Sequence, residues 1–180
     1  MANRIYKSGA FHFQNGDLAL ASDNLKIALC SSAYTPLTQS RSLGGDEFLN
    51  VIPGGAIVAT SGNLTSKVLN APDGSLQAAN PVIGPVSGST ITQLVLYNDT
   101  GSSATSQLIF LYDTATNMPL VPNGGNITIQ FAGAPNYVFS FNLEVLSDEE
   151  RSLVQRIGDA LRGIFGRRPE LCPAPILILA

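Results

Sequence analysis

The chain has 180 residues, 44% of them hydrophobic and only 13% charged, with a formal net charge of −3. That balance excludes a disordered chain, which needs high charge and low hydrophobicity, and it speaks against free nucleic-acid binding, which needs a basic patch. A single histidine and two cysteines far apart in sequence, Cys30 and Cys172, leave no His/Cys set for zinc and no disulfide framework.

The first residues, MANRIYKSGAFHFQNGD, lack the apolar run of a secretion signal, and the chain has no stretch of about 18 apolar residues to span a membrane. The lone His12, in FHF, is expected to be structural. From residue 17 to 143 the pattern is that of strands. In LKIALCS, Leu25, Ile27 and Leu29 alternate with Lys26, Ala28 and Cys30, which marks a strand with one face in a core. Cys30 is expected to be a buried apolar residue. Weaker strands are read in AIVAT from Ala56 and LTSKVL from Leu64. LVLY (94–97) and LIFLY (108–112) are apolar on both faces, so they are expected to be central and covered on both sides. The turn-rich NDTGSSATSQ between them predicts a hairpin. NITIQF, with Ile127, Ile129 and Phe131, and YVFSFNL, with Tyr137, Phe139, Phe141 and Leu143, alternate again. Gly/Pro turns separate these segments at 53–55, 72–74, 122–125 and 133–135.

Many short strands between such turns predict a mainly β fold, an antiparallel β-sandwich or barrel-like domain. Its expected extent is residues 1–143, followed over 144–180 by a C-terminal amphipathic α-helix and an extended arm. The expected core is Leu25, Ile27, Leu29, Leu94, Leu96, Ile109, Leu111, Ile127, Ile129, Phe139 and Phe141.

The period changes at the end. Ser147 and Glu150 form a capping box, and Asp148, Glu149 and Glu150 suit the positive end of a helix dipole. Leu153, Ile157, Leu161 and Phe165 are spaced by four, and Ile164 widens the stripe. Gly158 and Gly163 each weaken a helix by roughly 1 kcal/mol relative to Ala, so this helix needs a surface to pack on. The proline-flanked PILILA then supplies Ile176, Leu177, Ile178 and Leu179 as a short strand candidate. Both stripes are read as partner-binding residues.

Catalytic patterns are missing. No G-x-S-x-G elbow, Walker loop or G-x-G-x-x-G is present. GGDEF at 44–48 matches the string that names a family of cyclic-dinucleotide synthases, but nothing around it resembles that larger α/β domain. Asp46, Glu47, Asp99 and Asp113 are expected to be solvated acids in loops or at strand ends. The sequons at Asn63, Asn98 and Asn126 are read as accidents of an Asn/Thr-rich surface. The expectation is a protein that is not an enzyme and holds no cofactor and no metal.

Four segments in order, NGDLALASDNLKIALCSSAYTP, EFLNVIPGGAIVATSGNLTSKVL, LVLYNDTGSSATSQLIFLYDT and LVPNGGNITIQF, resemble a group of small structural proteins encoded among the virion genes of tailed bacteriophages. The hairpin pattern Y-x-DTG-x-x-ATS-x-L-I is its strongest signature, met here from Tyr97 to Ile109. The resemblance covers roughly residues 15–143 and implies a virion component with no catalytic residues. It leads to the expectation of a capsid decoration or cement protein, located in the virion and assembled in the host cytoplasm. Its expected partners are other virion proteins, the major capsid protein among them, and copies of itself as a homo-oligomer, with no nucleic acid and no membrane. The alternatives are a minor tail or neck protein, or a β-sandwich that binds a host surface or carbohydrate. The segment from Ser147 departs from the group, whose members commonly stop near the last strand.

Overall fold

A computed structural model describes residues 3–37, 45–70, 74–131 and 136–140, which fall in the compact unit Met1–Asn142. The expected C-terminal helix, the PILILA strand and Phe141 lie outside the described residues.

Ten strands follow in chain order: β1 (Arg4–Ile5), β2 (Leu25–Ser31), β3 (Ile57–Thr60), β4 (Val68–Asn70), β5 (Ser75–Gln77), β6 (Val82–Ile83), β7 (Ile91–Asn98), β8 (Leu108–Tyr112), β9 (Ile127–Thr128) and β10 (Tyr137–Ser140). They form a five-stranded sheet in the order β1-β8-β7-β2-β3, a three-stranded sheet β10-β5-β4 and a pair β6-β9. Every pairing is antiparallel, so the described residues are mainly antiparallel β, as expected. The centre is β2 against β7, in register from Leu25↔Asn98 to Ser31↔Ile91. The expected hairpin pairs β7 with β8.

The central strands are apolar on both faces, and both faces are covered. On one, Leu25, Ile27 and Leu29 of β2 and Leu96 of β7 pack with Leu76, Ile83, Val138 and Phe139 from the smaller sheets. On the other, Ala28, Cys30, Val95 and Tyr97 pack with Tyr6, Tyr34, Ile52 and Ala56. The faces of β2 follow the alternation of its sequence, and Cys30 is fully buried. Leu94, Ile127 and Ile129 only flank the first core in partly buried positions.

One expected pair of core neighbours is split. Alternation puts Ile109 and Leu111 on the same face, yet Ile109 joins the first core and Leu111 the second. The ladder runs Leu96↔Phe110 and then Tyr97↔Leu108, passing over Ile109. That extra residue is a β-bulge, and beyond it the period of two is offset by one. It places Ile109 beside Phe110 on the first face, where the Phe110 ring stacks on Phe139 with centroids 4.5 Å apart.

Two other segments are less strand-like than their alternation suggests. In LTSKVL the backbone of Ser66 is left-handed (φ 52°), and pairing begins only at Val68. In NITIQF pairing stops at Thr128, and the next donors go elsewhere, Ile129 N–H to Pro81 O and Phe131 N–H to the Asn80 side chain.

The N-terminal segment, to which no helix or strand is assigned from the sequence, forms helix α1 (Lys7–Asn15). It ends at Gly16 in the left-handed region (φ 77°), with Gly16 N–H on Phe13 O and Asp17 N–H on His12 O, a glycine-terminated helix end. The residues it buries are Ser8, Gly9 and His12, whereas Phe11 stays 40% exposed. A hydrophobic-periodicity reading looks for the opposite. Gly9 lies directly on the bulge of β8: a Cβ there would stand 2.8 Å from the carbonyl oxygens of Leu108 and Ile109. Those neighbours are backbone and cannot swing away. Gly9→Ala is therefore expected to destabilise by about 1–3 kcal/mol through overpacking, although the intrinsic helix preference favours Ala by up to ~1 kcal/mol. Denaturant unfolding checks this, and an unchanged or raised midpoint would contradict the close approach.

Candidate functional site

Polar residues that lie scattered in sequence meet beneath α1. His12 is buried. Its Nδ1 lies 2.8 Å from Asp17 Oδ2, and its Nε2 lies 3.3 Å from Glu47 Oε1 without hydrogen-bond alignment. One turn earlier, Ser8 Oγ donates to the backbone carbonyl of Asp46 at 2.8 Å. The Asp46 carboxylate accepts from Tyr34 OH at 2.6 Å and from Leu37 N–H at 2.8 Å. Because the Tyr34 proton is committed to Asp46, the 2.9 Å contact between the two phenols has Tyr6 donating to Tyr34. Gln93 Nε2 donates to Tyr34 O at 2.7 Å. The result is a relay, Tyr6 to Tyr34 to Asp46, closed at both ends inside the second core.

Burial raises the phenols of Tyr6 and Tyr34 well above their ordinary range. It pushes Tyr97 up to about 12 and the Cys30 thiol up to about 12. None of these groups is disposed to give up its proton near neutrality, and a thiol raised in this way is a poor nucleophile.

The four acids expected to be solvated all have assigned contacts, which corrects that expectation. Asp46 is buried among the tyrosines, and Glu47 faces His12. Asp99 pairs with Lys26 at 2.5 Å, which holds its carboxyl below the usual range, and Asp113 pairs with Arg4 at 3.0 Å. The partners lie far away in sequence, so local composition carries no sign of them. The expectation that His12 is structural agrees with its contacts to Asp17 and Glu47. The signal that could have found the pair is the short spacing from His12 to Asp17 across a Gly-terminated helix end.

An Asp–His pair is half of a nucleophile-activating arrangement. The other half is not in place here: His12 Nε2 faces a carboxylate, and among the described residues no Ser, Thr or Cys is bonded to it. No group of three His, Cys, Asp or Glu suited to a metal occurs among the described residues, and no described helix is long and apolar enough to cross a membrane. The arrangement works as a clasp that fastens α1 to the segment 45–48.

The signature hairpin is likewise consumed by its own structure. Gly101 takes a left-handed turn (φ 86°), and its N–H donates to Asp99 Oδ1. Ser106, fully buried, donates from Oγ to Ser102 O at 2.8 Å and accepts from Thr100 N–H at 3.2 Å. The hydroxyls of Thr100 and Thr105 meet at 2.5 Å. The loop then braces the next segment through Leu49 N–H to Ser106 O and Asn50 N–H to Ser103 O. Asn98 of the middle sequon is buried and bonded to Asp23 and Gln107, which leaves no room for a glycan in the folded chain. The residues expected to bind partners, Leu153, Ile157, Leu161, Ile164, Phe165, Ile176, Leu177, Ile178 and Leu179, lie outside the described residues.

Compared with known protein families and with curated proteins, the chain matches none.

Two outcomes are expected. His12→Ala removes the Asp17 bond from a buried position and should lower the unfolding free energy by about 1–3 kcal/mol in urea titration; an unaltered midpoint would mean that the clasp contributes nothing. The second concerns alkali. Tyr6, Tyr34, Tyr97 and Tyr112 all keep their protons above the ordinary value of 10.0 because of burial. The unfolded chain releases those protons first, so stability is complete below pH ~10 and falls as pH rises further, by about 1.4 kcal/mol per pH unit for each tyrosine. Phenolate absorbance should therefore appear together with loss of circular dichroism. Ionisation of these four near pH 10 in a still-folded protein would contradict their burial.

Proposed function

We propose that the chain is a non-enzymatic structural component of a tailed-phage virion, a capsid decoration or cement protein built on a β-sandwich. The observation that carries this reading is the hairpin from Tyr97 to Ile109. It bears the strongest resemblance to phage virion proteins, and its Asp, Thr, Gly and Ser residues all have structural tasks. Support also comes from the acids and the histidine, whose contacts are internal. A sugar-binding platform would need aromatic faces in the open, and the burial of Tyr6, Tyr34 and Tyr97 removes those three from that role. The segment 147–180 then serves as an assembly arm that carries its apolar stripes to a neighbour.

The test is incorporation into particles. A chain lacking residues 147–180 is expected to melt cooperatively near the full-length temperature, yet be missing from purified particles. Replacement of Ile157 and Leu161 by Asp should have the same effect, because a buried carboxylate would lack a partner. Truncated protein that joins particles as well as the full-length chain would remove the role of the arm. Full-length protein that never joins them would remove the virion.

A further inference from the structure

An open groove of about 1210 Å³ runs along the first face of the five-stranded sheet. Leu94 and Phe110 line it from the sheet, Ile129 and Phe131 from the segment after β9, and Phe139 and Ser140 from β10. It exceeds the ~300–1,000 Å³ of ordinary small-molecule sites, so its size suits a stretch of polypeptide. Among the described residues, none of those lining it is Asp, Glu, Lys, Arg or His. Its polar lining is made of amides and hydroxyls, such as Asn117, Thr128 and Gln130, which can bond a peptide backbone while leaving any charge unmatched. A charged side chain placed there would lose its water without gaining a counter-ion.

The chain itself contains an occupant of that chemistry. Beyond Glu170 no side chain is charged, and Ile176, Leu177, Ile178 and Leu179 form a wholly apolar run. The helical stripe from Leu153 to Phe165 is interspersed with Arg156, Asp159 and Arg162 and fits the uncharged described lining less well. The chain leaves the described residues at Ser140, itself on the groove. With the expected helix over 147–166 rising ~1.5 Å per residue and the rest of 141–175 at up to ~3.3 Å each, the reach is on the order of 80 Å, enough for a neighbouring molecule. We propose that the groove receives residues 176–179 of a second copy, so that this apolar run of one chain is buried on the first face of another. This rests on the assembly reading and names the surface that the arm uses.

The experiment uses the full chain, a double variant Leu177→Asp/Ile178→Asp, and Thr128→Lys at an exposed groove position. Mass in solution is read by light scattering, groove protection by hydrogen exchange over 108–131, and folding by thermal melts. The wild type should be oligomeric. Both variants should keep the wild-type melt, fall to monomers and lose protection over 127–131. Variants that remain oligomeric with unchanged protection would overturn the proposal. So would a wild-type monomer whose protection the double variant abolishes, because the occupant would then be the chain's own apolar run. If removal of 147–180 blocks incorporation into particles while the double variant incorporates normally, the assembly reading stands and the groove assignment falls.

Discussion

A sheet that is apolar on both faces cannot be left bare on either, and this constraint organises the described structure. Strands β2, β7 and β8 carry apolar side chains in both directions, the large aliphatic ones of β2 all on the first face. Each fully buried one contributes about 1.5–3 kcal/mol relative to exposure, so the chain must return over the sheet twice. The two smaller sheets cover the first face with Leu76, Ile83, Val138 and Phe139. The second face is closed by the N-terminal segment, by the stretch after β2 and by residues 45–56, with Tyr6, Tyr34, Ile52 and Ala56 inserted.

The second cover sets a polar problem. Helix α1 lies on the bulge of β8 through Gly9, and it also buries Ser8 and His12, which carry polar groups into the interior. Buried polar atoms must be paired, and this demand recruits the acids of the 45–48 segment. Ser8 finds the Asp46 carbonyl, and His12 stands between Asp17 and Glu47. Asp46 in turn anchors the two tyrosines. Within the GGDEF string, the Asp46 carbonyl accepts from Ser8 of the helix, the Asp46 carboxylate holds Tyr34 and the Leu37 N–H, and Glu47 faces His12.

What could be read from the sequence follows from where the relevant information resides. Alternation in LKIALCS groups Leu25, Ile27 and Leu29 on one core face because β2 is regular from Leu25 to Leu29. The expectation of a single core face falls short, since Ala28 and Cys30 enter a second core. The polar run between LVLY and LIFLY identifies the hairpin because a turn is a local event. The same alternation fails at Ile109 and Leu111, since a bulge changes parity without any mark in composition. Helix α1 is illegible because its buried stripe is small and polar, and periodicity methods search for apolar stripes. The roles of the acids are illegible for another reason: Arg4 meets Asp113 and Lys26 meets Asp99 only after the sheet has formed. The clasp is within partial reach, because His12 and Asp17 are five positions apart, but Glu47 depends on tertiary structure.

Among the described residues, Asp46, Glu47, Asp99, Asp113, the histidine and the signature loop all make internal contacts. Virion assembly is the proposed work of the chain. The most direct measurement is quantitative mass spectrometry of purified particles from a phage that encodes the chain. A decoration protein is expected in washed particles at a fixed, high ratio to the major capsid protein. Its absence from the particles, with abundant free protein in the same lysate, would contradict the assignment to the virion.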